Sequence, residues 1–294
     1  MLLLRKQLRI GTRGSRLALW QANLVKDKLK AIGIDATLVV IKTKGDKIKE
    51  PLYAFGGKGL FVKAIEDALL GGEIDLAVHS LKDMSVFSDE RFDFCVLERD
   101  DWRDVFVSYK GDIFSIEKKA KIGTSSLRRR CQLYRLRNDL EFTDMRGNLD
   151  TRLRKLQDGI VDGIVVSMAG LKRLGLFNEA YMQPLESLIP AAGQGVIAVE
   201  FLKGFELADE IARLEDRKTR ICVDAERSFV AQLNASCNYP IGAHAYFVDE
   251  KFCMDVMYGY PDDITSFEMC VHCSKSVIET LSYCVETIRR GVRK

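Results

Sequence analysis

Near its start the chain changes period. A short apolar stretch, RIGT (9–12), runs into a polar turn, after which Ala18, Ala22, Val25 and Leu29 fall on one face of a helix. The same order returns at KIGTSSLRRRCQL (121–133), where Leu127, Cys131 and Tyr134 keep helical spacing. A second pair of echoes follows, GEIDLAVHSLKD (72–83) and IVDGIVVSMAGLK (160–172). Each has an acidic residue, a short apolar strand, then serine and a new helix or turn. Different lengths of chain separate each Ile-Gly-Thr from its serine, so the repeat is architectural and not tandem. Apolar strands joined by helices predict parallel sheets covered on both faces. Two such α/β lobes, each presenting loops at strand ends, predict a ligand cleft between them.

The remaining elements read in the same way. Phe61, Ala64, Ile65, Ala68 and Leu69 predict a helix over 60–70, and the three glycines of FGGKGLF (55–61) predict a mobile loop before it. PAAGQGVIAVEF (190–201) reads as a glycine-rich turn into a strand that returns to the first lobe. Beyond residue 217 the spacing shortens. A helix at 222–233 and strands near 244–248, 252–259 and 267–273 lead to a last helix striped by Val277, Ile278, Leu281, Cys284, Val285 and Ile288. That is the pattern of a small α+β domain. The expected division is 1–99 with 196–216, then 100–195, then 217–294.

Composition narrows the classes. The 294 residues are 47% apolar and 30% charged, as in ordinary globular proteins, and the net charge is +3. A nucleic-acid-binding role would call for an overall basic charge and interleaved aromatics, which are missing. MLLLRKQLR carries too few apolar residues for a signal peptide, and no apolar run approaches the ~20 residues of a membrane span, so no membrane partner and a cytoplasmic location are expected. The eight cysteines would then be mostly reduced, without a disulfide framework. Cys270 and Cys273 form a CxxC pair, but strand alternation sends their sulfurs to opposite faces, which favours structural thiols over a metal or redox site.

Charged and hydroxyl side chains gather at the predicted strand ends. In GTSSLRRRC (123–131), Thr124, Ser125 and Ser126 precede a helix start, where free N–H groups and the helix dipole favour anions. Arg128 and Arg129, beside that start, suit carboxylates or phosphates. Arg130, Arg135 and Arg137 read instead as a solvated basic face. Arg13 and Ser15 occupy the matching turn of the first lobe, and Arg146, Arg152 and Arg173 add cations. GKGLF lacks the spacing of a phosphate-binding P-loop. In HSLKDM (79–84), Lys82 and Asp83 follow a strand at its cleft-facing end, and His79 reads as a satisfied structural histidine. An ionised Asp83 in a cationic cleft would stabilise developing positive charge. Cys237, in NASCNYPIG (234–242), is an inert thiol on composition alone; on a loop facing cations it becomes nucleophilic.

IGTRGSRLALWQ, GGKGLF, AVHSLKDM, GTSSLRR, RGNLDTR, AGLKRLG, PAAGQG and ASCNYPIG span nearly the whole chain in one order. Together they closely resemble the hydroxymethylbilane synthase, or porphobilinogen deaminase, family. The resemblance implies two periplasmic-binding-protein-like lobes and a third domain whose Cys237 holds one dipyrromethane cofactor through a thioether. It implies that four porphobilinogen units are joined head to tail with loss of ammonia, and that water then releases the linear tetrapyrrole. By position, Lys82, Asp83, Thr124, Ser125, Ser126, Arg128 and Arg129 match cofactor binders, and Asp83 the catalytic carboxylate. Arg13, Ser15, Arg146, Arg152, Arg173 and Gln194 match binders of porphobilinogen or the growing polypyrrole chain. No metal is expected, and the chain is expected to act as a monomer. Ser85 stands where the family commonly has proline, which puts the stiffness of that loop in question. The competing reading is a two-lobed soluble anion-binding protein without catalysis, which would not need Cys237 and Asp83 together.

Overall fold

The computed structural model describes residues 7–42, 59–87, 89–234 and 239–292. It divides into two compact units, residues 1–100 with 196–221 and residues 101–195 with 222–294. In the first, β1 (Leu8–Thr12), α1 (Arg16–Ala31), β2 (Ala36–Val40), α2 (Gly59–Leu70), β3 (Leu76–Ser80) and β4 (Phe92–Val96) are joined by the later strand β10 (Ile197–Leu202). The sheet order is β2-β1-β3-β10-β4. As the spacing predicted, Ala22, Val25 and Leu29 of α1 are buried against Leu8, Ile10, Leu76 and Val78. The expected loop at 55–61 lies largely outside the described residues, and α2 begins at Gly59.

The second unit repeats this order with different strands. Its elements are β5 (Asp104–Val107), β6 (Lys121–Gly123), α3 (Leu127–Leu136), β7 (Glu141–Thr143), α4 (Leu149–Gln157), β8 (Gly163–Ser167), α5 (Met168–Arg173) and β9 (Met182–Leu185). The sheet runs β7-β6-β8-β5-β9, so β6, β7, β8, β5 and β9 stand where β1, β2, β3, β10 and β4 stand in the first. The two Ile-Gly-Thr turns are glycine-bound for one reason. A Cβ on Gly11 would collide with the Ile74 side chain, and one on Gly123 would lie 2.6 Å from Met145 Cε.

The expectation of all-parallel sheets is corrected. β1 pairs parallel with β2 and β3, and β6 with β7 and β8, but β10 is antiparallel to β3 and β4, and β5 to β8 and β9. Neither β5 nor β10 enters its sheet through a local strand–helix–strand crossover, so the rule that makes such neighbours parallel does not act on them.

After α6 (Ala208–Ala212), α7 (Arg217–Gln232) leads to an antiparallel sheet of β11 (Ile241–Val248), β12 (Lys251–Tyr260) and β13 (Asp263–Ser274), with α8 (Val277–Val292) on β12 and β13. Thr280, Cys284, Val285 and Ile288 form the buried stripe of α8. Ile278, expected on that stripe, is 77% exposed, because the next position along a helix turns about 100° from Val277. The described cysteines are mostly reduced, as expected, with Cys95, Cys131, Cys222, Cys270 and Cys284 free, and one pair departs from that state. Cys253 and Cys273 face each other on β12 and β13 and are joined by a disulfide. Cys270, on the other face as its alternation predicted, lies 3.9 Å from the Cys284 sulfur. No helix among the described residues is long and apolar enough to cross a membrane.

Candidate active site

In both units the predicted site residues cluster where neighbouring parallel strands end. β1 pairs with β3 through Ile10–Leu76 and Gly11–Ala77, so the turn carrying Arg13 and Ser15 and the one carrying Lys82 and Asp83 leave the sheet side by side. β6 pairs with β8 through Ile122–Gly163 and Gly123–Ile164, which likewise brings the 124–126 turn beside α5 and Arg173. These are the strand ends at which α/β sheets commonly hold ligands.

The hydroxyls of the second unit build the α3 start. Ser126 Oγ caps the helix by accepting from Arg129 N at 3.4 Å. Thr124 Oγ1 accepts from Ser126 N, and Ser125 Oγ both donates to Met145 O and accepts from Met145 N. Ser15 caps α1 in the same way, accepting from Ala18 N at 3.3 Å.

Arg128 and Arg129 are buried, and both point to an anion within the protein. Arg128 Nη2 donates to Asp104 Oδ2 at 2.9 Å and Arg129 Nη2 to Asp104 Oδ1 at 2.7 Å. Their Nη1 groups donate to Ile189 O and Val165 O. Gln194 joins the hub, its Nε2 donating to Asp104 Oδ1 and Trp102 O. Asp104 is fully buried. Burial alone would raise its pKa, but the two guanidiniums outweigh it and hold the carboxyl below the usual range. Sequence reasoning missed Asp104. Its signal was an acidic residue opening the apolar strand DVFV, since such a group is rarely buried without a partner.

Two guanidiniums against one carboxylate leave this cluster positive, and Arg129 Nε is buried with no hydrogen-bond partner among the described residues. A guanidinium also has more N–H donors than these contacts use. The donor set therefore fits a carboxylate-bearing group such as dipyrromethane. Nearby, Arg173 Nη2 donates to Gly195 O at 2.6 Å. Arg146 and Arg152 are half-buried around the 145–148 turn, with Arg152 Nε donating to Gly147 O.

The solvated-face reading holds for the exposed Arg135 and is corrected for Arg130 and Arg137, which are half-buried and meet local acceptors. Arg130 donates to Thr124 O and Asp144; Arg137 donates to Ile113 O, Phe114 O, Ile116 O and Asp139. Arg135, the most exposed, lies 5.6 Å over the Phe267 ring. Unpaired carbonyls at strand and turn ends attract such donors.

In the first unit, Lys82 and Asp83 sit half-buried on a single 3-10 turn, Leu81–Asp83. The turn is pinned from both sides. Leu81 N donates to Val196 O, Ser80 Oγ exchanges hydrogen bonds with the Gln21 amide, and Leu81 and Met84 are buried. Ser85 Oγ accepts from Phe87 N at 3.1 Å, so a hydroxyl turn closes the loop where the family commonly places proline. His79 is paired as expected of a structural histidine, 3.2 Å from Glu200, a partner the sequence did not identify. Cys237 lies outside the described residues.

Comparison with known proteins assigns this arrangement to a family. Residues 8–210 match the model described as porphobilinogen deaminase, dipyromethane cofactor binding domain, and residues 220–281 match porphobilinogen deaminase, C-terminal domain. A porphobilinogen deaminase of Helicobacter acinonychis is 44% identical over 86% of this chain and 85% of its own length. That of Nitratidesulfovibrio vulgaris strain Hildenborough is 48% identical over 84% and 81%. Among solved structures, an arginine transport-system periplasmic binding protein from Legionella pneumophila resembles 71% of this chain and 91% of its own, at 16% identity and a TM-score of 0.41. With both family models and close relatives covering most of its length, the chain belongs to the porphobilinogen deaminase family.

Proposed function

We propose that the chain is a hydroxymethylbilane synthase, joining four porphobilinogen molecules head to tail with loss of ammonia and releasing the linear tetrapyrrole by hydrolysis. The dipyrromethane cofactor supplies the pyrrole terminus on which joining begins. Cys237 is its attachment point, in the stretch ASCNYPIG. The observation that carries the reading is the positive, partly unsatisfied cluster of Arg128 and Arg129 at the α3 start, inside the region matched by the cofactor-binding model.

Porphobilinogen brings an acetate and a propionate, so negative charge accumulates with each addition. Arg128 and Arg129, with Lys82, Thr124, Ser125 and Ser126, bind the cofactor carboxylates. Arg13, Ser15, Arg146, Arg152, Arg173 and Gln194 bind those of substrate and product chain. Asp83 has the opposite task. Departure of ammonia leaves positive charge on the porphobilinogen methylene carbon and its ring, and a fixed carboxylate lowers the energy of that charge. Pinning of its 3-10 turn supports this role, since a preorganised group need not reorganise as the charge appears. The two five-stranded sheets and the separate three-stranded one support a division into 1–99 with 196–216, 100–195 and 217–294. Family membership supports action as a cytoplasmic monomer.

Intact mass and peptide mapping test the reading. The protein should be heavier than its sequence by one dipyrromethane, on Cys237, and Cys237→Ser should lack both adduct and activity. An unmodified Cys237 in active protein refutes it.

A further inference from the structure

The CxxC pair that the proposed reaction leaves unused is divided between two sulfur pairs, one on each face of β13. Cys270, 7% exposed, lies beneath α8 against Cys284, which has no exposed surface. Cys273, on the opposite face, is bonded to Cys253 of β12. The two ends of that bridge sit in different surroundings. Cys253 is 1% exposed, whereas Cys273 is exposed, as is Val271 on the same face of the strand. β13 is also an edge of the sheet β11-β12-β13, so among the described residues no further strand pairs along its outer side. Solvent therefore reaches the bridge from the Cys273 side.

β13 is held differently along its length. Phe267 and Met269, nearer its start, pack with Cys131 of α3, Ile189 and Met257 of β12. Toward its end the helix face is fixed by His272, which stacks on Tyr283 at 4.0 Å, and by Ser274 Oγ, 3.0 Å from Thr280 Oγ1. On the other face the bridge ties Cys273 back to β12 beside the exposed Val271. A bridge across a sequence separation of 20 restricts the unfolded chain, and one that solvent can reach is the labile kind.

We propose that the Cys253–Cys273 bridge is a reversible redox site, opened by a low-molecular-weight thiol that attacks at Cys273 and closed again by the corresponding disulfide. The attacking thiolate forms a new sulfur–sulfur bond to Cys273 as the bond to Cys253 breaks. The electron pair goes to the Cys253 sulfur, which takes up the proton that the small thiol has lost. A second thiolate then attacks the small-molecule sulfur of the mixed disulfide and frees Cys273, which is protonated in the same way. Two small thiols are thereby oxidised to one disulfide, and the bridge is reduced to two thiols. Opening leaves the β12–β13 ladder in place but releases the exposed end of β13 from its tie. Cys270 and Cys284 lie beneath α8, out of reach, and take no part.

The full chain is titrated with mixtures of reduced and oxidised glutathione, quenched in acid, alkylated and mapped by mass spectrometry. The bridge should open and close reversibly with the ratio. The trapped mixed disulfide should fall on Cys273, with Cys270 and Cys284 unmodified. In the opened form, amide exchange at residues 271–274 should quicken about tenfold or more while β1 and β3 stay unchanged. The melting temperature should fall by roughly 5–10 °C. Two single-thiol variants separate access from stability. Cys253→Ser and Cys273→Ser should both melt like the reduced wild type, but Cys253→Ser, which keeps Cys273, should take up glutathione about tenfold faster or more. If either variant does not fold, trapping on the wild type carries the test. A mixed disulfide on Cys253 overturns the proposal, as does a bridge that opens only under denaturing conditions. So does protein isolated with both thiols that oxidised glutathione fails to close.

Discussion

Asp104→Asn preserves the shape of the side chain and removes the single negative charge that Arg128 and Arg129 share. The two contacts are 2.9 and 2.7 Å long, and at an effective dielectric of ~20 each attraction is worth about 6 kcal/mol. Desolvation of the ions cancels much of this, as does repulsion between the two guanidiniums. The expected net cost is that of stranding buried charge, about 3–5 kcal/mol. For a unit of this size that lowers the melting temperature by roughly 10 °C. Arg128→Gln is the informative control. It leaves Asp104 bonded to Arg129 and Gln194 and relieves the repulsion, so it should cost only about 1–2 kcal/mol. The double variant should lose less than the sum, because the guanidinium stranded by the first change is removed by the second. Calorimetric melts of the apo-proteins at neutral pH decide the order. If Arg128→Gln proves as damaging as Asp104→Asn, Asp104 is not the hub and the charge argument fails.

Two further expectations concern acid and catalysis. Asp104 has its pKa depressed in the folded state, so its stabilising contribution is complete above the unfolded value near 4 and is lost as pH falls through the lower folded value. Acid unfolding of wild type should therefore take up more protons below about pH 4 than that of Asp104→Asn, and equal uptake would contradict the assignment. Asp83→Asn, checked by mass for an intact adduct, should lose about 3–4 kcal/mol of transition-state stabilisation, a hundredfold or more in single-turnover rate. Near-normal elongation with weakened substrate binding would remove Asp83 from the chemistry.

Much of the fold was legible because it rests on local periodicity. The strand–Gly–turn–helix units around Gly11 and Gly123 and the buried stripe of α1 follow from apolar spacing alone. What escaped depends on distant parts of the chain. β5 and β10 run antiparallel because of where they enter their sheets, and spacing carries no such information. Arg128 and Arg129 were readable as anion binders, but their internal partner lies 24 and 25 residues upstream, on β5. Glu200 was illegible for the same reason, being an acidic position whose partner is supplied only by folding. Cys253 and Cys273 met because two antiparallel strands placed them opposite each other, a register that residue spacing does not reveal.

The duplicated sheets also bear on how one topology serves two opposite charges. β3 and β8 occupy equivalent slots, each parallel to the strand of its Ile-Gly-Thr turn. After β3 comes a 3-10 turn ending in Lys82 and Asp83; after β8 comes α5, ending in Lys172 and Arg173. The first slot thus offers a carboxylate beside a cation, and the second offers cations. A reaction that collects carboxylates while passing through a cationic transition state needs both kinds of site, and a cluster of arginines alone would oppose the charge that forms as ammonia leaves. Asp104 answers the complementary problem. Buried beneath the arginines, it offsets enough of their repulsion to let them share one helix start, and because it matches only one of the two charges, it leaves the cluster positive toward a bound anion.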